Sequence, residues 1–529
     1  MVLTAPYSPS PRSGDAATGS MPNGGSIIAS RPSNFATGSN VVENTYIARL
    51  IIKMNECLLK LGQDIEDDSV IEQVERMSTL IYESMSTSGR NYHSVQHVFD
   101  VSRNLEDPIA TLAALFHDCI YHQVDGGLSK LQVQKLEGVV HWHESVHAVR
   151  TDKTPGSIYY TSESVKQSIF HPHTSDPLLG MVEVIFGYHE IQEMNNLNGV
   201  NEFLSTVLAL RELTNLLNTV QLAQIAVCIE ATIPFRPLHS ETGQSPMELL
   251  YERLTQVNDT YQLGLSKVEL VESIQRAVRV ANRDCENFGS PDCQWFLDNT
   301  WSILPECNKS LRSHSLYTVG EFQCALYSMY GFFSFLQPSL IFQQFRGVPS
   351  PEEYQLLVDQ ATRNLQVGRQ YVGAKLVSLS VVAAFAELTG GDAPISLFIG
   401  DLPSRHSDPV DGSWIEIVSS EFIDDERKAS DCDPDVYTLL AQGRRTEASF
   451  DVRQSPLAAG FYGRLGDRGL VEILQAFDLF PMTVDTARAL LSRLPRGLIM
   501  KLANKMAKVA VPRATRIQQV IDELSTESS

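Results

Sequence analysis

Apolar side chains recur every three or four positions through most of the chain, the spacing that gathers them on one face of an α-helix. Ile47, Leu50, Ile51, Met54, Leu58 and Leu61 share one such face, and Val70, Val74, Met77, Leu80 and Ile81 share another. Two amphipathic helices are predicted there. Segments 92–105 and 108–121 follow, the second opened by Pro108, which suits a first helical turn. Helical patterns return at 182–188, 202–217, 221–231, 246–256 and 268–287. Between 122 and 180 the polar runs TDKTPGS and HPHTSDP interrupt the period and read as loops or an insertion. Beyond Leu311 the helical spacing continues to amphipathic segments at 484–494 and 498–511, with a break around LFIGDLPSRHSDPVDGSW at 397–414. The pattern predicts an all-α protein: a helical bundle core over 43–310 and a mainly helical C-terminal region of unknown role over 311–529. Residues 1–42, rich in Ser, Pro, Gly and Asn, are expected to form a disordered tail, because such a composition cannot repay the entropy of ordering.

The length of 529 residues exceeds what one compact core usually holds, which agrees with two folded regions. An apolar share of 43% is enough to fill them. With 63 acidic against 42 basic residues, the net charge of -21 argues against nucleic acid as the main partner, since the phosphate backbone would be repelled. It leaves a small phosphorylated substrate open, because a bound divalent ion reverses the field inside a pocket. The basic run Arg493, Arg496, Lys501, Lys505 and Lys508 reads as a solvated face, with a protein partner for the C-terminal region as the alternative. Eight scattered cysteines without a CxxC pair fit a reducing cytoplasm. The N-terminus lacks the apolar core of a signal peptide, and no transmembrane segment is expected.

Candidate chemistry is concentrated in histidine and aspartate. The segment NYHSVQHVFDV places His93 and His97 four residues apart, so a helix would stack both imidazoles on one side. After the apolar run LAALF comes the pair His117-Asp118. Imidazole and carboxylate together make a mixed nitrogen and oxygen ligand set for a divalent ion such as Mn, Mg, Fe or Zn, and the lack of cysteine ligands argues against a structural zinc. Such an ion activates water and polarises a phosphoryl oxygen, the two needs of phosphate-ester hydrolysis.

The order YHxxxHxxxV, then LAALFHD, then a distant aspartate on a late helix resembles the HD superfamily of metal-dependent phosphohydrolases, which includes cyclic-nucleotide phosphodiesterases. The resemblance covers roughly residues 43–310 and implies an HD-type helical core. It makes His97, His117 and Asp118 metal ligands and His93 the proton donor to the leaving oxygen, although Ser94 stands where the phosphodiesterase motif has Asn. The last ligand it requires is assigned to Asp284 in ANRDCENF, with Glu230 and Asp298 as rivals. A subgroup of small predicted HD hydrolases, with FHDxxY and NExxSA motifs, is closer still: FHDCIY stands at 116–121 and NEFLST at 201–206, with Thr206 in place of Ala. That match makes Glu202 a candidate base or water-orienting residue. Arg236, in TIPFRP, is a candidate for holding a substrate phosphate through its planar fork, the alternative being a helix-terminal salt bridge. His171, His173 and His189 are candidates for a second metal and His122 for the mouth of the site, while His141, His143 and His147 read as solvated. The implied function is hydrolysis of a small phosphorylated molecule such as a nucleotide; a catalytically inactive HD-fold scaffold acting through its C-terminal helices is the alternative.

Overall fold

Helices begin where the sequence supplies a side chain to accept the first free backbone N–H groups. Asp67, Asp107, Ser245, Ser266 and Ser350 each cap a helix in this way, and Pro108, Pro246 and Pro351 open three of them. The computed structural model describes residues 45–137, 139, 176–188, 199–313, 316–400, 420–423 and 428–526. The expected tail at 1–42, most of the 397–414 break and His141, His143, His147, His171, His173 and His189 lie outside the described residues.

Counting helices of eight residues or more, the first half of the chain forms α1 (Tyr46–Lys60), α2 (Asp68–Met85), α3 (Val95–Ser102), α4 (Pro108–Phe116), α5 (Pro177–Phe186), α6 (Val200–Leu213), α7 (Thr219–Glu230), α8 (Pro246–Thr260) and α9 (Lys267–Asp284). The second half adds α10 (Cys293–Trp301), α11 (Val319–Phe335), α12 (Pro351–Gly390), α13 (Pro434–Gln442), α14 (Pro456–Ala476), α15 (Val484–Arg493), α16 (Arg496–Val509) and α17 (Ala514–Thr526). Among the described residues there is no β-strand, and the protein is all-α.

Each half is organised round one largely buried helix, α7 in the first and α12 from Ala361 onward in the second. In the first, α7 buries Leu222, Ile225, Val227 and Ile229 and packs against α4, α5, α6 and α9. Each large apolar side chain so enclosed contributes roughly 1.5–3 kcal/mol. Helix α4 is buried along Ile109 to Phe116, so the residues that follow it are delivered to the inside of the molecule. In the second half, α12 is the axle, enclosed by α10, α11, α13, α14, α15 and α17. It is the one described helix long and apolar enough to cross a membrane, yet its apolar stretch is 89% buried against its neighbours. The buried side chains divide between Ala281 and Cys285, with Phe345 returning to the first core, so the cores part at the end of α9 and ahead of residue 310. Residues Thr45–Ser529 nevertheless form one compact unit.

Inside the second core lies a charged cluster. Lys375 Nζ, in the middle of α12, donates to Asp451 Oδ2 at 2.7 Å and to Ser455 Oγ at 2.9 Å, and Arg444 Nη2 reaches the same carboxylate at 3.3 Å. Both cations also lie over the Trp301 ring. One carboxylate thus serves two buried cations, and its removal leaves both without a counter-charge. Asp451→Ala is expected to destabilise the protein by about 3–5 kcal/mol, read as a lower urea midpoint; an unmoved midpoint would show that water takes over the role of the carboxylate.

Candidate metal centre

Three separate stretches of chain meet where the first core ends. His117 is the C-cap of α4, and its Nδ1–H donates to the Ala114 carbonyl oxygen at 2.8 Å. That bond sets the tautomer and leaves Nε2 with its lone pair. Asp118 follows in the turn, His97 stands in the first turn of α3, and Asp284 is the last residue of α9. His97 Nε2 lies 2.9 Å from Asp284 Oδ1 and 3.6 Å from Asp118 Oδ2; His117 Nε2 lies 3.4 Å and 3.1 Å from the same two atoms. His97, His117 and Asp118 each place a ligand atom within 4.8 Å of the others, and Asp284 touches both imidazoles.

This geometry suits a divalent cation. Side-chain exposure falls to 9% for His97, 1% for His117, 13% for Asp118 and 18% for Asp284, so water screens the two carboxylates poorly. His117 Nε2 is buried without an aligned hydrogen-bond partner although two carboxylates flank it. Burial alone would depress the pKa of His117, yet Asp118 and Asp284 hold it well above its ordinary value. Burial alone would raise both aspartates, yet His117 and His97 hold them far below the usual carboxylate range. The concentration of negative charge that draws a proton to this point also draws a metal ion, which competes for the same lone pairs. Nitrogen and oxygen donors without sulfur suit Mn, Mg, Fe or Zn.

His93 is close by but is positioned differently from the sequence expectation. A helix over 92–105 would carry His93 and His97 on one face; instead α3 begins only at Val95. The reason is a tertiary contact. Glu306, in the helical turn Leu304–Cys307, accepts the backbone N–H groups of Asn91, Tyr92 and His93 on Oε1 at 2.7, 2.7 and 3.0 Å, which holds that backbone out of the helix. Its Oε2 accepts from His93 Nδ1 at 2.6 Å. The His93 ring still stands 5.7 Å from that of His97 and 4.5 Å edge-on from that of Tyr121. Burial pulls the His93 pKa down, but the Glu306 and Asp118 charges leave it above its ordinary value.

Arg90 braces the same turn from beneath. Its fully buried guanidinium grips Asp125 through Nε and Nη2 at 2.8 and 2.7 Å, while Nη1 donates to the Asp118 carbonyl oxygen at 2.6 Å. The NEFLST segment explains itself in similar terms. Asn201 Oδ1 lies 2.9 Å from His122 Nδ1, and Ser205 Oγ accepts from the Ile120 backbone at 2.9 Å, so two polar side chains of α6 clamp the turn after Asp118. His122 is therefore a buried clamp residue, 3% exposed. Glu202, between those two, has a buried Oε2 without a hydrogen-bond partner, and burial with the nearby Asp118 and Asp284 charges pushes its pKa up to about 7.

The rivals of Asp284 are engaged elsewhere. Asp298 accepts from the backbone and hydroxyl of Thr446 and from the backbone of Arg445. Glu230, at the end of α7, receives both Arg236 and Arg253. Arg236 thus has the geometry of a helix-terminal salt bridge, with bonds of 2.6 and 3.1 Å to Glu230, and it lines a cavity that does not include the four ligand candidates. Sequence reasoning missed Glu306 and Arg90. Neither lies in a periodic motif; each acts across a fold that only packing brings together. All eight cysteines are free thiols.

A cavity of about 280 Å³ opens beside His93 and Asp284, with Tyr92 and Tyr121 on its rim. Comparisons with protein-family models, curated proteins and solved structures yield no match to this chain.

Glu306→Gln retains an acceptor for the three N–H groups but removes the charge facing His93. The His93 titration, followed by NMR of the ring Cε1–H in metal-free protein, is expected to move to lower pH; a shift upward or none at all would mean that Glu306 does not govern this imidazole.

Proposed function

We propose that the chain is a divalent-metal-dependent phosphohydrolase of the HD type, acting on a small phosphorylated molecule. The observation that carries this reading is the convergence of His97, His117, Asp118 and Asp284, the ligand set the resemblance implies, on one point where His117 Nε2 lies buried and unsatisfied. Those four side chains would hold the ion. When bound it would polarise a phosphoryl oxygen and lower the pKa of water.

The protein's own groups cover the remaining steps. His93, with Nδ1 anchored on Glu306, keeps Nε2 available to give a proton to the departing oxygen, and the Glu306 and Asp118 charges favour its protonated form. Glu202, with a pKa near 7, is poised to accept a proton from the attacking water. Arg90 and Glu306 are positioning residues: the first holds the His117-Asp118 turn, the second the His93 turn. The proposal includes a reducing, cytoplasmic setting, which the eight free cysteines support.

Two substitutions separate binding from chemistry. Asp118→Asn is expected to lose bound metal on elemental analysis and to lose turnover in a screen of phosphomonoesters, cyclic nucleotides and nucleoside triphosphates with added Mn. His93→Gln is expected to keep the metal while kcat falls about 10²–10⁴-fold. Full metal retention by Asp118→Asn would sink the ligand assignment, and metal without turnover in the unaltered protein would favour the inactive scaffold.

A further inference from the structure

The cavity beside His93 and Asp284 is built by both halves of the chain. Tyr92 and Tyr121 come from the first half, Phe235 from the loop after α7, and Phe288 from the turn after α9. Met329 and Phe332 of α11 close the opposite side. Phe235 is held at φ 57°, a left-handed conformation that residues with a side chain rarely adopt. Its ring meets Phe288 and Phe332 edge to face, with centroids 5.9 and 6.1 Å apart. Strained backbone that presents a side chain to a cavity is a recurring mark of a binding site. In the TIPFRP segment it is therefore Phe235, rather than Arg236, that reaches the centre's cavity.

The chemistry of the walls limits what fits. Among the described residues, apart from His93, Asp284 and the tyrosines, the polar side chains that line the space are Asn308, Ser328 and two cysteine thiols, with no lysine or arginine. On the other side of Tyr92, a narrower cleft of about 100 Å³ also reaches His97 and Asp284, and its arginines, Arg103 and Arg283, are paired with Asp100 and Glu286. A polyphosphate chain placed in the larger cavity would bury charges that no cation of the wall meets. A volume of about 280 Å³ stands at the low end for small-molecule sites. It holds one ring system.

We infer that the substrate is a monophosphate ester of an apolar, ring-sized alcohol, and that α11 of the C-terminal half is the wall that selects it. This rests on the phosphohydrolase reading. In the reaction, water gives a proton to Glu202 as its oxygen forms a new bond to phosphorus, the bond from phosphorus to the alcohol oxygen breaks, and that oxygen leaves with a proton from His93. The alcohol portion occupies the aromatic cavity, and the phosphate faces Asp284 and its neighbours.

The test uses the full chain, 1-naphthyl phosphate, methyl phosphate and ATP with added Mn, and binding of the product 1-naphthol followed by its fluorescence without metal. Ser328 is exposed on α11 at the cavity edge, so Ser328→Trp blocks the space with little risk to folding, which circular dichroism checks. Phe332→Ala widens it. Naphthyl phosphate is expected to exceed ATP and methyl phosphate in kcat/KM by at least about tenfold, and Ser328→Trp to reduce that preference and weaken naphthol binding by a similar factor. Phe332→Ala should weaken naphthol binding several-fold. Naphthol binding untouched by either substitution, or ATP turned over faster than naphthyl phosphate, overturns the inference and leaves the phosphohydrolase proposal standing. Naphthol binding with no hydrolysis of any of the three esters overturns the phosphohydrolase reading instead, and the ester assignment with it.

Discussion

Two carboxylates and two imidazole nitrogens directed at one poorly hydrated point make an arrangement that needs positive charge to persist. Protons supply it in part, as the raised His117 and the depressed Asp118 and Asp284 show. A divalent ion would supply it more completely, because one centre can satisfy several lone pairs together. Much of the surrounding structure serves to keep these groups from moving apart. The apolar length of α4 carries His117 inward, the Ala114 carbonyl sets its tautomer, and Arg90 ties the Asp118 backbone to a second anion, Asp125. None of these groups is a ligand, yet each removes a way for the site to relax.

What could be read from the sequence follows the range of the interactions involved. Helix class and most helix positions come from local spacing and caps, and they were legible; α4, α7 and α9 all stand on such signals. Helical spacing marks His97 and the His-Asp dipeptide marks His117 and Asp118, whereas Asp284 was singled out only by what the resemblance requires; the structure brings the four side chains close together. The start of α3 was not legible. Periodicity over 92–105 favours helix through His93, but Glu306 claims three backbone N–H groups that a longer helix would have needed. A contact made by a distant carboxylate leaves no trace in local pattern. Arg236 illustrates the same limit from the other side: its flanking prolines indicate a turn, but only the fold shows that Glu230 takes up its guanidinium.

The place where the two cores part draws the C-terminal half into the candidate site. The C-terminal region read from the sequence begins at 311, and the buried side chains divide just after α9. Asp284 therefore stands at the seam, with its helix in one core and Cys285 already in the other. Glu306, which positions His93, and Met329 and Phe332, which face the cavity, all belong to the side beyond that seam. The first half alone would keep the ligand candidates but lose the carboxylate that orients His93 and one wall of the cavity. Packing of the two cores against each other is thus a condition for the site, and α11 lies against α12, whose apolar stretch is buried. A pocket walled on one side by a helix anchored along a 40-residue axle can discriminate by shape, because yielding to a larger or more polar ligand would require a well-packed core to shift.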